Sequence, residues 1–398
     1  MKVIIGGAGI TGLAVGCYLQ QKGIDFQIFD YRDQQHGDLK KSTGIQLASN
    51  CHFVFRELGI YDQIKEASIE RKNLKVHSEQ NYLNDLSVTN DHNEGIFFIR
   101  RSQLISILAS LIPSQKISWS TRIKADYSIE NNDIIGVNKI YDDGTHVKVE
   151  TQKLIKTDYY TDEFPEFVST PICKHTADLY IDCTGSDNTF NTADTNSSAI
   201  WGISDYSDKM LKSFNNFMYS GMHLVTYPLT ENKTAFTLVF DTARLFNEDQ
   251  LWKICHNNSK GDQAREIVNK LLKDKFKDLI NSSRDCERRK LFYSVYNTWG
   301  KGNIIRLGDS AHLITPHLAQ GAAQGLIDAA YLNSGFSTNL DPEEFFSKRN
   351  SIINKIRSEA KLNKNRYQLG MPFKLLRNIY LKLYKPNYSW LFNSKYEA

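Results

Sequence analysis

Apolar and polar positions follow two different periods over the first thirty residues. Lys2 to Gly6 and Asp25 to Asp30 are short apolar runs of strand length, whereas Thr11 to Lys22 has the spacing of a helix that stops at Gly23. Two strands joined by a helix lie parallel in one sheet, because a parallel pair needs a crossover connection. The start of the chain therefore predicts a βαβ unit.

The middle of the chain predicts shorter strands. The alternating runs Ile134 to Tyr141 and Thr145 to Thr151 flank Asp142-Asp143-Gly144, a turn sequence typical of a β-hairpin. The apolar run Ala177 to Cys183 predicts a buried strand. Between these elements, we expect irregular structure in the polar segment from Gln152 to Thr176.

Residues 199–299 differ in character from those on either side. His223 to Leu229 and Thr234 to Phe240 alternate around a short polar turn, which predicts an antiparallel hairpin, and a charged helix is predicted from Asp262 to Leu279. The strand, turn and helix pattern of the N-terminus returns from Asn303. The chain therefore predicts one domain inserted within another, followed by helices in the last fifty or so residues.

Three glycines occupy the turn of the βαβ unit. Gly7 permits a tight turn, Gly9 leaves no side chain in the way of a diphosphate, and Gly12 lets the helix pack closely on the strand. Backbone N–H groups at a helix start favour phosphate. Asp30, at the end of the second strand, is placed to accept the hydroxyls of an adenosine ribose. The motif predicts dinucleotide binding but does not separate NAD from FAD.

A second motif lies near residue 310, in the stretch NIIRLGDSAHLITPHLAQGAAQGLIDAA. Gly308 and Asp309 follow a predicted buried strand, so the Asp309 carboxylate is displayed at a strand end, where it can accept a hydrogen bond from a hydroxyl. Pro316 stiffens the loop, and the turn Gln320-Gly321-Ala322 presents backbone N–H groups at a helix start. Such a helix start favours the negative charge of a reduced flavin, so this motif favours FAD.

Together, in this order and spacing, the two motifs resemble those of the class A flavoprotein monooxygenases, the family of p-hydroxybenzoate and salicylate hydroxylases. The second motif is similar to the family's GDAAH, Pro, QG and DA pattern, and RRSQL places Arg101 where the family has an arginine that contacts FAD. The resemblance covers nearly the whole chain. It implies that FAD is held by Gly7, Gly9, Gly12, Asp30, Arg101, Gly308, Asp309, Pro316, Gln320, Gly321 and Ala322.

The same resemblance implies the reaction. Reduced FAD reacts with O2 to give a C4a-hydroperoxide, whose distal oxygen passes to an electron-rich carbon, and NAD(P)H is the reductant. We therefore expect an FAD-dependent monooxygenase that hydroxylates or epoxidises an aromatic or polyene-like small molecule. The alternatives are a flavin reductase or dehydrogenase of related fold, a flavin halogenase, and a non-catalytic flavin-binding partner protein.

The resemblance also implies the fold class, which is α/β. We expect a Rossmann-like FAD-binding domain of the glutathione-reductase type, with an inserted antiparallel β-sheet substrate domain and a C-terminal helical segment. The expected FAD-binding domain comprises residues 1–76, 97–184 and 303–340. The expected substrate domain comprises residues 77–96 and 185–302, and the C-terminal helices residues 341–398.

One segment departs from the family pattern. Where the family has an Asp-Gly pair linked to both FAD and the nicotinamide donor, this chain has Thr184-Gly185, and Asp182 lies two positions early. Either the Thr184 hydroxyl replaces the acid, or the flavin is reduced in another way, for example by a partner protein.

Three side chains are candidates for contact with the substrate. His317 follows Pro316 in the loop beside the expected flavin ring and could act as acid or base near neutral pH. His223 and Tyr227 lie at an even spacing on one predicted strand, so they face the same side of a sheet. Each has a structural alternative: His317 as a loop residue bonded to backbone, the other two as core or surface residues.

Composition and charge bear on metal sites, membrane spans and nucleic-acid partners. The 398 residues include six scattered cysteines without a CxxC pair, so no metal site is predicted. No apolar run reaches about 18 residues, and we expect a cytoplasmic protein. From Lys348 onward 12 Lys and Arg stand against two Glu, but base-stacking motifs are not apparent and no nucleic-acid partner is expected.

The C-terminal residues contain one amphipathic stretch, Phe373 to Lys385, in which Phe373, Leu376, Tyr380 and Leu383 share one side. We expect a helix packed on its own domain, with contact to a membrane surface as the alternative. The oligomeric state is left open.

Overall fold

The structure is a computed structural model. It describes residues 1–33, 43–79, 81–123, 127–130, 133–137, 140–142, 146–156, 167–169, 172–185, 192–246, 262–272, 276–283, 286–295, 297–338 and 342–393.

The described strands and helices are numbered here in chain order. The strands are β1 (Lys2–Gly6), β2 (Asp25–Phe29), β3 (Gly44–Leu47), β4 (Ile69–Arg71), β5 (Asn73–Ser78), β6 (Asn81–Ser87), β7 (Ile96–Arg100), β8 (Ile117–Ser118), β9 (Thr121–Ile123), β10 (Tyr127–Glu130), β11 (Asp133–Val137), β12 (Ile140–Asp142), β13 (Val147–Lys156), β14 (Phe167–Ser169), β15 (Cys173–Ala177), β16 (Leu179–Asp182), β17 (Thr192–Ser204), β18 (Phe214–Tyr219), β19 (Met222–Thr230), β20 (Lys233–Asp241), β21 (Glu287–Ser294), β22 (Gly300–Lys301) and β23 (Ile304–Arg306). The helices are α1 (Ile10–Gln21), α2 (His52–Glu57), α3 (Tyr61–Glu66), α4 (Arg101–Ser110), α5 (Thr242–Leu245), α6 (Asp262–Leu272), α7 (Lys277–Asn281), α8 (Gly321–Thr338), α9 (Pro342–Tyr367), α10 (Phe373–Leu383) and α11 (Ser389–Phe392).

A six-stranded sheet forms the first layer, in the order β22-β23-β16-β1-β2-β8. Strands β23, β16, β1, β2 and β8 are parallel, and β22 pairs antiparallel at the edge. The predicted βαβ unit is confirmed, because β1 and β2 are neighbours joined by α1. The predicted buried strands before Cys183 and before Gly308 are β16 and β23, which lie on the other side of β1.

Helix α1 is nearly all buried because it lies between this sheet and the helices α4 and α8. Glycines allow the close approach: a Cβ at Gly16 would lie 2.8 Å from Cδ1 of Ile28 on β2. The largest hydrophobic core fills the space between these layers. This core fixes the β1–α1 turn against the loop that follows β23.

A seven-stranded sheet forms the second domain, in the order β21-β17-β20-β19-β18-β5-β6. The predicted hairpin is confirmed as β19 and β20, with Val225 opposite Thr237. One face of the hairpin carries Phe236, Leu238 and Phe240, which are buried in a core with α6 and α7. The sheet thus has one face in its own core and a second face free to cover the first domain.

The prediction of a single charged helix from Asp262 to Leu279 is wrong. The described residues form two helices, α6 and α7, and Phe276 before α7 has a left-handed backbone with φ of 64°. A left-handed residue interrupts an α-helix, so the two segments have separate axes.

The expectations for residues 134–176 are partly wrong. Ile140–Asp142 pairs with Val147–Val149 as the predicted hairpin requires, but the preceding strand β11 pairs with β10 instead. The turn residues Asp143 and Gly144 lie outside the described residues. Strand β13 continues to Lys156, and β15 pairs with it, so both ends of the segment expected to be irregular are strands. Cross-strand pairing, which a local pattern does not show, extends β13.

The remaining described helices pack at the C-terminus. Helix α9 contacts α8 and the short turn Pro316–Leu318, and α10 contacts β6. Together these elements confirm the predicted α/β class, with a parallel sheet, a separate antiparallel sheet and C-terminal helices. The expected division after residue 76 falls inside β5, which belongs to the antiparallel sheet.

Candidate functional site

One cavity of about 950 Å³ connects the two glycine motifs. Eight of the eleven residues expected to hold FAD line it: Gly7, Gly9, Asp30, Arg101, Asp309, Pro316, Gly321 and Ala322. Its size is at the upper end of the range of about 300–1,000 Å³ for small-molecule sites. The two motifs, some 300 residues apart in sequence, therefore face one common space.

In the turn after β1, Gly9 leaves open space on the side of this cavity. A Cβ at Gly9 would lie 3.9 Å from the nearest neighbouring atom, Nη2 of Arg32, and the backbone φ of −77° is one that any residue adopts. By contrast, a Cβ at Gly12 would lie 1.9 Å from the carbonyl oxygen of Gly7. Gly12 therefore serves packing, whereas the space over Gly9 is available to a ligand.

Asp30 lies at the cavity wall and is almost fully buried. Its Oδ2 accepts a hydrogen bond from the backbone N–H of Ala8 at 2.6 Å, which ties the end of β2 to the glycine turn. The guanidinium of Arg32 donates to both carboxylate oxygens, at 2.8 and 2.6 Å. The carboxylate is thus held rigidly, and Arg32 lies beside the place expected for the ribose.

The Asp309 side chain is open to the cavity although it lies deep within the protein. Removal from bulk water raises the pKa of Asp309, while His312 and Arg101 oppose this rise. Arg101 lines the same cavity at the start of α4. The site thus offers an acceptor and a cation next to each other on the cavity wall.

A buried ion cluster holds the Asp309 loop on α8. The carboxylate of Asp328 accepts hydrogen bonds from the backbone N–H of Gly308 at 2.9 Å, from Nε2 of His312 at 2.6 Å and from Nε of Arg349 at 2.9 Å. His312 and Arg349 lower the pKa of Asp328 to about 2, against the opposing effect of burial. Gly308 therefore holds the Asp309 loop through Asp328 and does not line the cavity itself. His312 also bonds to Asp328, which is a structural contact.

Gln320 occupies the start of α8 but does not line the cavity. Its side chain is fully buried, and its Oε1 accepts from Nδ2 of Asn50 at 2.8 Å and from Nε2 of Gln324 at 2.9 Å. Ala319, the residue before it, has a left-handed backbone. These contacts fix the helix start, where Gly321 and Ala322 line the cavity.

Thr184, which stands where the family pattern has an aspartate, has a defined hydrogen-bond partner. The buried carboxylate of Asp182 accepts from the backbone N–H of Thr184 at 2.9 Å and from its hydroxyl at 2.7 Å. Nε of Arg306 lies 3.5 Å from the same carboxylate. The Thr184 hydroxyl is therefore engaged with Asp182. Cys183 between them also lines the cavity, and burial raises the pKa of its thiol well above the usual range.

The antiparallel sheet roofs the other side of the cavity. Because directly opposed residues of neighbouring strands share a face, the register defines two rows of roof residues. One row runs through Glu287, Trp201, Thr237 and Val225, and the other through Arg289, Ala199, Val239 and His223. All of these except Ala199 line the cavity. The opposite face carries Phe236, Leu238 and Phe240, which pack in the core of the antiparallel sheet.

His223 and Tyr227 both line the cavity from β19. Burial lowers the pKa of His223 well below its usual range, with His317 acting in the same direction. Its Nδ1 accepts a hydrogen bond from Nε2 of Gln368 at 3.3 Å. Tyr227 stacks on Phe98, with ring centroids 4.7 Å apart, and burial raises the pKa of its hydroxyl.

His317 lies behind the cavity wall in the turn that contains Pro316. It is almost fully buried, and neither ring nitrogen has a hydrogen-bond partner among the described residues. The expected structural alternative, a bond to backbone, is therefore absent from this part of the chain. Burial lowers the pKa of His317 to about 3, so the ring is neutral at pH 7.

Sequence reasoning missed several roof residues. Trp201 was not among the predicted site residues, and Glu287 and Arg289 lie on β21, for which no strand was predicted. Arg289 donates from Nε to Oε1 of Glu287 at 2.8 Å beside the cavity. The alternation in the run from Glu287 to Ser294 is a signal that could have found this strand.

Comparison with known proteins agrees with the resemblance. The chain is 24% identical over 344 residues to the FAD-dependent monooxygenase dpmaE of Metarhizium anisopliae, covering 83% of this chain and 68% of that protein. It is 22% identical over 351 residues to kynurenine 3-monooxygenase of Dictyostelium discoideum, covering 84% and 69%. No model of a known protein family matches the sequence.

Solved structures share the fold. Klebsiella pneumoniae HpxO, in complex with FAD and uric acid, superposes with a TM-score of 0.74 at 16% identity, covering 97% of this chain and 93% of that one. A salicylate hydroxylase substrate complex superposes with a TM-score of 0.70 at 15% identity, covering 96% and 92%. The likeness extends over both sheets and the C-terminal helices.

Proposed function

We propose that this chain is a group A flavoprotein monooxygenase, and that it transfers one oxygen atom from O2 to a small aromatic molecule bound between FAD and the antiparallel sheet. The observation that supports this proposal is the cavity shared by the two glycine motifs and the antiparallel sheet. The glycine turn after β1, the Gly308–Asp309 loop and the β19–β20 roof all face it. An elongated cofactor lying across the first two elements leaves the roof side for a substrate.

The described residues fit FAD. The open space over Gly9 and the N-terminus of α1 would receive the diphosphate, since backbone N–H groups and the positive helix end favour anions there. Asp30 would accept from the adenosine ribose and share that place with Arg32. Asp309 would accept from a hydroxyl of the ribityl chain, beside the cation of Arg101.

The flavin ring would lie near Pro316 and the start of α8. The backbone of Gly321 and Ala322 faces the cavity there, at the positive end of an 18-residue helix. Negative charge that develops on the ring during reduction is stabilised by such a helix start. When bound and reduced, FAD would supply two electrons and activate O2, from which one oxygen atom passes to the substrate and the other leaves as water.

The roof would hold the substrate. Trp201, Val225 and Val239 give it an apolar surface, suited to a flat aromatic molecule. Tyr227 and His223 add a hydroxyl and an imidazole on the same side, and Arg289 adds a cation at the wall. This side-chain set suits an aromatic ring that carries a hydroxyl, amino or carboxylate group.

His223 would act as a hydrogen-bond partner for the substrate rather than as a cation. Both it and His317 have pKa values far below 7, so they are neutral during turnover. Because its Nδ1 accepts from Gln368, the neutral ring carries its proton on Nε2 and would donate a hydrogen bond to an oxygen or nitrogen of the substrate, with the neutral His317 ring 5.4 Å away. Tyr227, whose pKa is raised, stays protonated and can only donate or accept a hydrogen bond.

We propose NAD(P)H as the reductant, although Thr184 replaces the family's acid. Because Asp182 holds both the backbone and the hydroxyl of Thr184, an acid at this turn is present two positions earlier and is buried. A nicotinamide donor would therefore meet Thr184 and Gly185 at the cavity wall instead of a carboxylate.

The test is a single-turnover oxygen-incorporation assay. Protein loaded with FAD is mixed with NADPH or NADH, isotopically labelled O2 and one aromatic compound. The first compounds are salicylate, urate and kynurenine, which occur in the names of the similar proteins. We expect faster NAD(P)H oxidation with at least one aromatic compound and one labelled oxygen atom in its product. Oxidation of NAD(P)H without incorporation into any compound of a broader phenol and quinolone panel would favour a flavin reductase.

A paired variant separates the roof from the flavin site. Trp201→Ala should weaken the stimulation by substrate while FAD stays bound, because Trp201 lies on the roof. Phe292→Ala is the control, since Phe292 lies on the neighbouring strand β21 and is partly exposed. Loss of FAD from Trp201→Ala would contradict the proposed division of the cavity.

A further inference from the structure

Helix α10 contacts the rest of the protein with its polar side. Arg377 is only 5% exposed, and its guanidinium donates to the backbone carbonyls of Arg366 and Tyr367 and to Oγ of Ser78. Asn378 donates to the same Ser78 hydroxyl at 2.8 Å. This arrangement is the reverse of an ordinary surface helix, whose apolar stripe faces the core.

Further polar contacts complete the attachment of α10. Lys374 pairs with Glu79 at 2.5 Å, and Nδ2 of Asn84 donates to the carbonyl of Leu381 at 2.8 Å. Leu381 is the buried apolar side chain on this helix. The helix is thus held by specific hydrogen bonds in an orientation that leaves its apolar side outward.

The outward side is a continuous apolar face. Of the 15 large hydrophobic side chains that are exposed among the described residues, eight fall within 371–384, at exposures of 47–83%. They are Met371, Phe373, Leu375, Leu376, Ile379, Tyr380, Leu383 and Tyr384. Isolated exposed hydrophobic residues are common on soluble proteins, but a contiguous apolar patch of this kind indicates an interaction site.

The charged residues of the helix and of the segments on either side of it are all basic. Residues 360–393 contain seven Lys and Arg and no Asp or Glu. Lys382 and Lys385 are exposed beside the apolar side chains, and Glu79, the acid that the helix contacts, is paired with Lys374. A basic rim around an apolar helix face is complementary to anionic lipid headgroups.

We propose that residues 371–385, here called the docking face, bind the surface of an anionic lipid bilayer. The helix would lie in the plane of the headgroups, with its apolar side chains inserted and Lys382 and Lys385 against the phosphates. Eleven residues span only about 16 Å, and no described helix is long and apolar enough to cross a bilayer. The contact is therefore a surface attachment.

A second copy of the chain fits the docking face less well. A symmetric dimer would place the same patch on both subunits and bring Lys382 and Lys385 of each copy close to those of the other. Like charges at an interface oppose association, whereas anionic lipid relieves the same charges.

The docking face borders the side of the protein that carries the roof. A groove of about 320 Å³ beside α10 is lined by Leu376, Tyr380 and Tyr367. The ring of Tyr367 lies 5.2 Å from that of His223, which lines the main cavity. Attachment to a bilayer would thus bring apolar, membrane-dissolved molecules next to the roof, a consequence that rests on the proposed function.

Co-sedimentation with vesicles tests the docking face without reference to catalysis. The full chain is incubated with vesicles of equal parts phosphatidylcholine and phosphatidylserine, and with vesicles of phosphatidylcholine alone. We expect binding to the anionic vesicles that weakens as salt is raised, and weaker binding to the neutral ones. Failure of the full chain to sediment with anionic vesicles at low salt would overturn the proposal.

Two variants and their controls locate the contact. Leu376→Glu with Leu383→Glu should lower vesicle partitioning by roughly tenfold or more, because two inserted side chains become charged. The control Val295→Glu replaces an exposed apolar residue outside the docking face and should leave partitioning unchanged. Because all three positions are exposed, these variants should keep the wild-type circular dichroism and melting temperature.

The charge contribution is tested in the same way. Lys382→Glu with Lys385→Glu should lower partitioning into anionic vesicles by roughly tenfold or more, whereas Lys209→Glu with Lys212→Glu should not. Equal partitioning of all variants would overturn the proposal. So would a docking-face variant that converts a dimer to a monomer in sedimentation velocity without any change in vesicle binding, since the occupant would then be a second copy.

Discussion

The imidazole rings of His223 and His317 lie 5.4 Å apart, centroid to centroid, and both side chains are almost fully buried. Burial lowers the pKa of His317 to about 3 and that of His223 well below its usual range. The unfolded chain has ordinary histidines with pKa values near 6.5. The folded protein therefore excludes protons that the unfolded chain binds between these values.

This difference predicts a loss of stability in mild acid. Between pH 6.5 and about 3 the unfolded state binds more protons at His317, so stability falls as the pH falls through this window. Each such group contributes a slope of about 1.4 kcal/mol per pH unit. His317→Phe should reduce this slope, as measured by chemical denaturation at a series of pH values.

Val295→Phe provides the control, because it changes an exposed side chain and removes no titratable group. It should leave the acid slope unchanged. Two results would contradict the conclusion that both histidines are buried and neutral. One is a wild-type free energy of unfolding that does not change from pH 6.5 to pH 4, and the other is an equal slope in His317→Phe.

The glycine turn predicts opposite outcomes at two positions. Gly9→Ala should fold normally, because a Cβ there meets no neighbour closer than 3.9 Å, but should weaken FAD binding by about tenfold or more. Gly12→Ala should lower the free energy of unfolding by roughly 3 kcal/mol, since its Cβ would meet the Gly7 carbonyl oxygen at 1.9 Å. Apo-protein melting and flavin fluorescence titration measure the two effects; equal melting temperatures for both variants would refute this distinction.

The buried cluster behind Asp309 predicts a large loss of stability. Asp328→Asn leaves the guanidinium of Arg349 buried without its anionic partner, at a cost of about 3–5 kcal/mol. Lys174→Ala, which removes an exposed ion pair with Glu150, should cost less than about 1 kcal/mol. Urea denaturation compares them, and a similar cost for both variants would show that the cluster does not hold the loop.

The contact between Thr184 and Asp182 predicts that an aspartate at position 184, where the family has an acid, lowers the stability of this protein. In Thr184→Asp a second carboxylate would lie beside that of Asp182, which now accepts the threonine hydroxyl at 2.7 Å. We expect a loss of about 1–3 kcal/mol, whereas Thr184→Ser keeps the hydroxyl donor and should be nearly neutral. Thermal unfolding measures this difference, and a Thr184→Asp protein as stable as Thr184→Ser would contradict the observed role of Asp182.

The elements near the cofactor site were predictable from sequence because their signals are local. The glycines after β1, the strand ends at Asp30 and Asp309 and the start of α8 each follow from short-range pattern and backbone geometry. The face shared by His223 and Tyr227 follows from the period of a strand. Of these residues, Gly7, Gly9, Asp30, Asp309, Gly321, His223 and Tyr227 line one cavity, whereas Gly12 packs α1 on β1.

The rest depends on contacts between distant segments. Trp201, Glu287 and Arg289 meet on the roof only through the register of β17 with β20 and β21. The partner of Thr184 was missed because the pattern compared it with a family position and not with Asp182 two residues away. The outward apolar side of α10 was predicted as a helix face, but its direction is set by Arg377 and distant polar groups.

Titration of apo-protein with FAD, followed by the quenching of flavin fluorescence, addresses most directly whether the shared cavity is a flavin site. We predict one FAD bound per chain in the wild type, weaker binding in Gly9→Ala and in Asp309→Ala, and unchanged binding in the surface variant Val295→Glu. A folded wild-type chain that binds no FAD, or Gly9→Ala and Asp309→Ala proteins that bind it as tightly as wild type, would contradict the assignment of the cavity.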